Sequence, residues 1–497
     1  MSIREIQELI DFGELDSAYE KLKKFPQEFL FDSKIYSALI LIEKGQYQKS
    51  LEICMNVFTD SNIERIILHE HVVDIIKSFA LLKLGRIDDS YAIISEVEDY
   101  LELQDQGTLH NLLFHRSLLY KTKGAVETRL GKKDEALSSY QKSLLLIKEM
   151  GNRALLGTIC NNIGHIHTQL GNADEAFINF TTSLEIAEEF KNDFQRYYPL
   201  SNIGIYYYNK GDLENSFKYH IRALEVAQKT ENTSNIASEY REISQLYRAR
   251  GDYSQALGYL EDSLKLRIDV GNPIWITFTL IYLVELSLDL ENIEMALKYS
   301  NQLKSLASET RSTLVDQITR TSIGLIHKKS SRLKDKAAAI DIFRQIVEEE
   351  IIDYDNTVNS ILHLCELLIF ELKLTNEDEV LIELHFLTAK LIQMAEANNS
   401  YSLICEILGL QSNIALIEGN VPHALKLLDG AVNLAETNKS HIIANKFSKH
   451  KNALIKQTEA WNKTIESNNP LVDRMDLSNI EEYLQEIIKI KDNIFQK

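Results

Sequence analysis

Two histidine pairs, His69-Glu70-His71 and His165-Ile166-His167, are the first groups in this chain whose chemistry invites a function. Imidazole nitrogens ligate divalent metals. On a helix, residues i and i+2 point to different faces, so neither pair chelates one ion and no metal is expected. There is no GxxxxGKS/T loop or GxGxxG turn to cradle a phosphate, and no GxSxG elbow to expose a nucleophilic serine. The acidic clusters Glu348-Glu349-Glu350 and Glu377-Asp378-Glu379 read as solvated helix ends, not as paired acid and base. Cys54, Cys160, Cys365 and Cys405 lie far apart without a CxxC pair, which suits buried apolar thiols in a reducing compartment. The residues therefore point to no catalytic group and no cofactor, and a protein that is not an enzyme is expected.

Charge narrows the partners. The formal net charge is -19, which repels phosphate backbones, so nucleic acid is not an expected ligand. Met1-Ser2-Ile3-Arg4-Glu5 lacks the apolar core of a signal peptide, and no apolar run is long enough to span a membrane. A cytoplasmic protein is expected.

The elements that would position a binding surface follow from glycine spacing. Gly131, Gly171, Gly211 and Gly251 are 40 residues apart, and each precedes, by five residues, Ala136, Ala176, Ser216 or Ala256. An inner glycine comes seven residues before three of them: Gly124, Gly164 and Gly204, with Ser244 in the fourth place. A fixed period of this length predicts a solenoid of helix pairs. The frame extends outward through Gly13, Gly45 and Gly85, then through Glu291, Lys334, Thr375 and Gly419, giving eleven pairs. In each, helix A ends at the turn, an acidic turn follows, and helix B starts with small and large apolar residues. The inner glycine marks where the two helices come closest.

The expected organisation is irregular repeats over 1–106, a regular core over 107–300, divergent repeats over 301–438 and C-terminal helices over 439–497. A helix is expected over 440–463, rich in lysine from Lys446 to Lys463 and broken by Ser467-Asn468-Asn469-Pro470. Ser478 with Glu481 reads as a capping box before an apolar face of Ile480, Leu484, Ile487, Ile488, Ile494 and Phe495. That last helix would cap the solenoid or dock in its groove.

Ile163-Gly164-x2-His167, Ile203-Gly204-x2-Tyr207, Ala136-x3-Tyr140 and Ala176-x3-Phe180 resemble the tetratricopeptide repeat (TPR). Asn162-Ile163-Gly164 and Asn202-Ile203-Gly204, with the 40-residue period, resemble its long-repeat subclass. Kinesin light chains, Leu-Gly-Asn adaptors and peptide-pheromone receptors belong there. His167 and Glu127 stand where the pattern has an aromatic, and its closing proline is absent. The resemblance implies an all-α, right-handed α-solenoid whose concave face, lined by helix A, holds an extended protein or peptide segment.

Carried over by register, the face comprises Lys121, Thr122 and Arg129; Asn161, Asn162, His165 and Gln169; Ser201, Asn202, Tyr208 and Asn209; and Arg241, Gln245 and Arg248. Asn162 and Asn202 would bond a peptide backbone, since an amide both donates and accepts. Lys121, Arg129, Arg241 and Arg248 would favour an acidic segment. A protein- or peptide-binding adaptor is the expected function, with a peptide-responsive sensor as the alternative. Because the frame already runs at Gly13, no room is expected for an N-terminal effector domain.

Overall fold

The structure, a computed structural model, describes residues 3–26, 29–59, 67–103, 110–170, 172–397, 400–438, 441–467 and 471–494. Gly171, Asn468 to Pro470, Phe495 and the expected boundaries at 106/107 and 439 lie outside them. Among the described residues there are helices and no strands, arranged as a solenoid in which consecutive helices pack antiparallel. Two units divide the chain, 1–246 and 247–497.

The first unit holds α1 (Ile3–Asp11), α2 (Leu15–Leu22), α3 (Leu30–Glu43), α4 (Tyr47–Asn56), α5 (Ile67–Lys83), α6 (Ile87–Leu103), α7 (His110–Arg129), α8 (Lys133–Met150), α9 (Arg153–Gln169), α10 (Ala173–Glu189), α11 (Asp193–Asn209) and α12 (Leu213–Lys229). The unit boundary falls within α13 (Thr233–Ala249). The second unit continues with α14 (Tyr253–Val270), α15 (Pro273–Asp289), α16 (Ile293–Thr310), α17 (Thr313–Lys329), α18 (Leu333–Glu348), α19 (Tyr354–Thr375), α20 (Asp378–Ala397), α21 (Tyr401–Ile417), α22 (Val421–Thr437), α23 (His441–Glu466), α24 (Leu471–Ser478) and α25 (Ile480–Ile494). Odd helices are A and even ones B through α22, which makes the expected eleven pairs.

The A-to-B turn is left-handed. Gly131 (φ 73°) and Gly211 (φ 77°) adopt it at no steric cost. Glu291 does so at φ 56°, where its Cβ adds about 1–2 kcal/mol of strain. Two frame positions shift. At Thr375 the left-handed residue is its neighbour Asn376 (φ 57°). Lys334 lies inside α18, because extended Ser330 and Arg332 make that turn instead.

A second 40-residue series escaped the glycine frame. Gly151, Lys191, Glu231, Gly271 and Arg311 are all left-handed at the B-to-A turn. The next residue caps helix A: Asn152, Asn192, Asn232, Asn272 and Ser312 each accept a backbone N–H of the first turn. The side-chain oxygen satisfies a donor that the helix leaves open.

Within a pair, the inner glycine admits an aromatic ring from helix B. A Cβ at Gly124, Gly164 or Gly204 would stand 2.9, 2.7 and 2.6 Å from the rings of Tyr140, Phe180 and His220. The first unit also closes on itself. Asn192 Nδ2 donates to the carbonyls of Ile10 (3.2 Å) and Asp11 (3.0 Å), and Phe12 meets Phe190. Phe194 packs on the cluster of Ile6, Leu15, Ala18, Leu22 and Ile40.

In the second unit, α24 and α25 lie on α19 and α21, two A helices. Gly409 gives the room, since a Cβ there would meet the Tyr483 hydroxyl at 1.9 Å. That hydroxyl bonds the buried Glu406 carboxylate at 3.1 Å, which Lys446 also holds through both oxygens at 2.9 Å. Lys451 pairs with Asp429, so part of the lysine run is internally neutralised. The expected capping box does not form. Ser478 ends α24 and donates to the Met475 carbonyl (2.8 Å), while left-handed Asn479 turns the chain into α25.

Candidate binding site

Within the first unit, α3, α5, α7, α9 and α11 lie side by side as successive A helices. Their side chains two residues before each turn glycine occupy one register: Glu43, Lys83, Arg129, Gln169 and Asn209. Lys83 and Lys121 place their ammonium groups 5.3 and 5.5 Å from the same Phe79 ring. Burial and then the charges of Arg129 and Lys121 bring Lys83 down to about 8, against the pull of Glu43. Lys121 is lowered too, by burial, with Glu43 again opposing. Glu43 also acts on Tyr47 and Tyr198, whose hydroxyls are hydrogen-bond partners. Burial pushes Tyr47 up to about 12 and raises Tyr198 further. Lys83, Lys121, Arg129 and Glu43 make no ion pair or hydrogen bond with any described residue.

Further along the same face, Asn202 Nδ2 donates to Asn161 Oδ1 at 3.0 Å across adjacent A helices. The pairing uses an Asn202 N–H and the Asn161 carbonyl, and leaves the Asn161 N–H group and the Asn202 carbonyl without a partner among the described residues. Asn162, His165 and Tyr208 are half-buried beside them, and Asn209 is exposed. Gln169 Oε1 and Thr122 Oγ1 have no partner among the described residues.

Other sequence-derived positions serve the fold. Ser201 donates to Glu239 (2.7 Å), a fully buried carboxylate that also accepts from Tyr197 (2.9 Å) and meets His220 Nδ1 at 2.8 Å. Burial opposes the His220 imidazolium, but the charge and hydrogen bond of Glu239 outweigh it, so its pKa is raised. Arg241 is ion-paired with Glu242, and Gln245 is buried. In the second unit, Arg248 pairs with Asp289 (2.7 Å) and Glu285 (3.4 Å). Of the four cations expected to meet an acidic ligand, these two arginines already have carboxylates. Lys83, Phe79, Glu43 and Tyr47 were not read from the sequence. The register that places Arg129 two residues before its glycine would have found Glu43 and Lys83.

Among the described residues no three or more His, Cys, Asp or Glu side chains stand together as metal ligands. No described helix is long and apolar enough to cross a membrane.

Residues 196–439 match the model of the MalT-like TPR region, and residues 116–189 match a tetratricopeptide-repeat model. No curated protein matches the chain in sequence. Among solved structures, a Rap protein complexed with competence and sporulation factor is similar at 12% identity and a TM-score of 0.51, over 88% of this chain and all of that one. The apo form of the quorum sensor NprR from B. thuringiensis is 17% identical, with a TM-score of 0.49 over 76% of this chain and 98% of its own. The Rap likeness is one of fold. Glycine frame, helix pairs, aromatic seats and matched models agree: the chain is a tetratricopeptide-repeat protein.

Proposed function

We propose that this protein is a non-catalytic adaptor that binds an extended peptide or protein segment on the A-helix face of its first unit. The observation that carries the reading is the Asn161–Asn202 pair, which offers one free donor and one free acceptor on adjacent A helices. An extended backbone presents C=O and N–H groups in alternation, and such a pair engages one of each without reorganising. Asn162, His165 and Gln169 extend the polar row on α9. The Rap structure, complexed with competence and sporulation factor, supports the reading by analogy of fold. Four free, buried cysteines fit a reducing cytoplasm.

A second reading, a peptide-responsive sensor, is favoured by α24 and α25, which cover part of the A-helix face of the second unit. A docked C-terminal segment of this kind can be displaced by a ligand.

The test is a random peptide array probed with the full chain, wild type and Asn161→Ala/Asn202→Ala. Retention of a peptide family by the wild type and its loss in the double variant supports the site. Peptides held equally by both proteins would move the binding surface elsewhere.

A further inference from the structure

Three cations converge in the first unit with no ion-pair partner among the described residues. Lys83 closes α5, Lys121 lies in the middle of α7, and Arg129 ends α7. Both lysines share the Phe79 ring as a floor, at 5.3 and 5.5 Å. Glu43 is the one acid that acts on both. The chain carries 73 acidic residues against 54 basic ones, so acids for neutralising these groups are plentiful. Elsewhere they are used that way: Lys123 pairs with Glu98, Arg222 with Glu188 and Arg248 with Asp289. Here, among the described residues, Glu43 is near but forms no ion pair. Half-buried ammonium groups left unpaired destabilise a fold, and a ligand that supplies the missing charge removes the penalty.

We propose that Lys83 and Lys121, above the Phe79 ring, form with Arg129 a subsite for the carboxylates of an acidic peptide segment. The proposal rests on the reading of the first unit's A-helix face as the binding surface. Lys121 and Arg129 are eight residues apart on one helix, about 12 Å along its axis. That separation suits two or more carboxylates along a chain better than one compact anion. Arg129 is exposed and presents a planar fork that takes a carboxylate through two hydrogen bonds. The flat Phe79 ring lets the lysine stems lie against it while their charged heads stay free.

Lys83 adds a signature that a structural role would not give. Free, it titrates near 8, lowered first by burial and then by Arg129 and Lys121, with Glu43 opposing. A bound carboxylate favours its charged form. Binding therefore draws a proton from solution, and affinity falls as pH rises above 8.

The experiment is calorimetry on the full chain with a capped hexaglutamate peptide, a capped hexaserine peptide and inorganic phosphate. Each is run at low and high salt, in buffers of different ionisation heat. The proposal expects hexaglutamate to bind, with affinity falling as salt rises. It expects hexaserine and phosphate to bind at least roughly tenfold more weakly, the loss of one charge-assisted contact. It expects an uptake approaching roughly half a proton at pH 8, because a group near its pKa is half charged. Lys121→Met and Arg129→Gln should each lower hexaglutamate affinity by roughly tenfold or more. Lys83→Met should abolish the proton uptake.

Phosphate that binds as tightly as hexaglutamate would replace the peptide with a free anion and overturn the proposal. So would hexaglutamate binding that ignores Lys121→Met, or that takes up no proton. Array peptides lost in Asn161→Ala/Asn202→Ala but indifferent to Lys121→Met and Arg129→Gln would overturn this subsite while the groove reading stands. Hexaglutamate lost in Lys121→Met but unaffected at the asparagines would uphold the subsite and remove the amide clamp.

Discussion

Replacing Gly204 by alanine should destabilise the first unit although alanine is the better helix former. An added Cβ would stand 2.6 Å from His220 Nε2, 2.7 Å from Cδ2 and 2.9 Å from Cε1. A ring at the end of a free side chain would swing away cheaply, but this one is fixed. His220 is 1% exposed, and its Nδ1 is held 2.8 Å from a carboxylate oxygen of Glu239. Glu239 is anchored in turn by Tyr197 and Ser201. Moving the ring strains a buried charge-assisted bond, worth about 1.5–3 kcal/mol, and overpacking adds about 1–3 kcal/mol. The helix-propensity gain of Gly→Ala returns about 1 kcal/mol. A net loss of about 1.5–5 kcal/mol follows.

The assay is chemical denaturation followed by circular dichroism, with Gly258→Ala as the control. Gly258 has nothing within 4 Å of its added Cβ, so that change should stabilise by about 1 kcal/mol. A double variant, Gly204→Ala/His220→Ala, separates overpacking from any other effect. With the ring gone the alanine is accommodated, and the pair should lose less than the sum of the two single changes. A Gly204→Ala protein that melts at or above the wild-type midpoint would refute the close helix approach.

His220 has a raised pKa, so its ion pair with Glu239 contributes fully below the ordinary value of 6.5 and is lost as pH rises through the raised one. Unfolding midpoints between pH 6 and 8 should fall accordingly, and His220→Asn should flatten that slope. Lys83 has the opposite sign. Its folded value near 8 lies under the ordinary 10.5, so stability rises with pH between those limits. Lys83→Met should raise the midpoint at pH 7, through a stability gain of at most about 3 kcal/mol and of about 1 kcal/mol after solvent screening of a half-buried group. An unchanged or lower midpoint would mean that the cation is not under strain. Deleting residues 471–497 should strip Tyr483, Leu484, Ile487 and Ile488 from α19 and α21 and promote aggregation, measured by light scattering. A truncated chain that stays monomeric and binds array peptides more tightly would make α25 an inhibitory segment and not a structural one.

The architecture was legible because its constraint is steric and recurs. Gly204 admits His220 as Gly164 admits Phe180, so the glycines surface in the sequence at the solenoid period. The other turn was hidden for the complementary reason. A left-handed residue can be Lys191 or Glu231 at a modest cost, and only the cap after it, Asn192 or Asn232, is constrained in type. The binding face was partly legible. Register located Lys121, Arg129, Asn161 and Asn202, but it could not say which charges are spent at home. Arg241 and Arg248 differ from Arg129 only in their neighbours: Glu242 in one case, Asp289 and Glu285 in the other. Those carboxylates come from the same helix or from the next A helix, a pairing that periodicity alone does not rank. A face that binds a charged ligand must leave charges unpaired, so the useful quantity is the remainder after every internal ion pair has been formed. On the A-helix face of the first unit that remainder includes Lys83, Lys121 and Arg129, with Glu43 beside them, on a chain whose sum is -19.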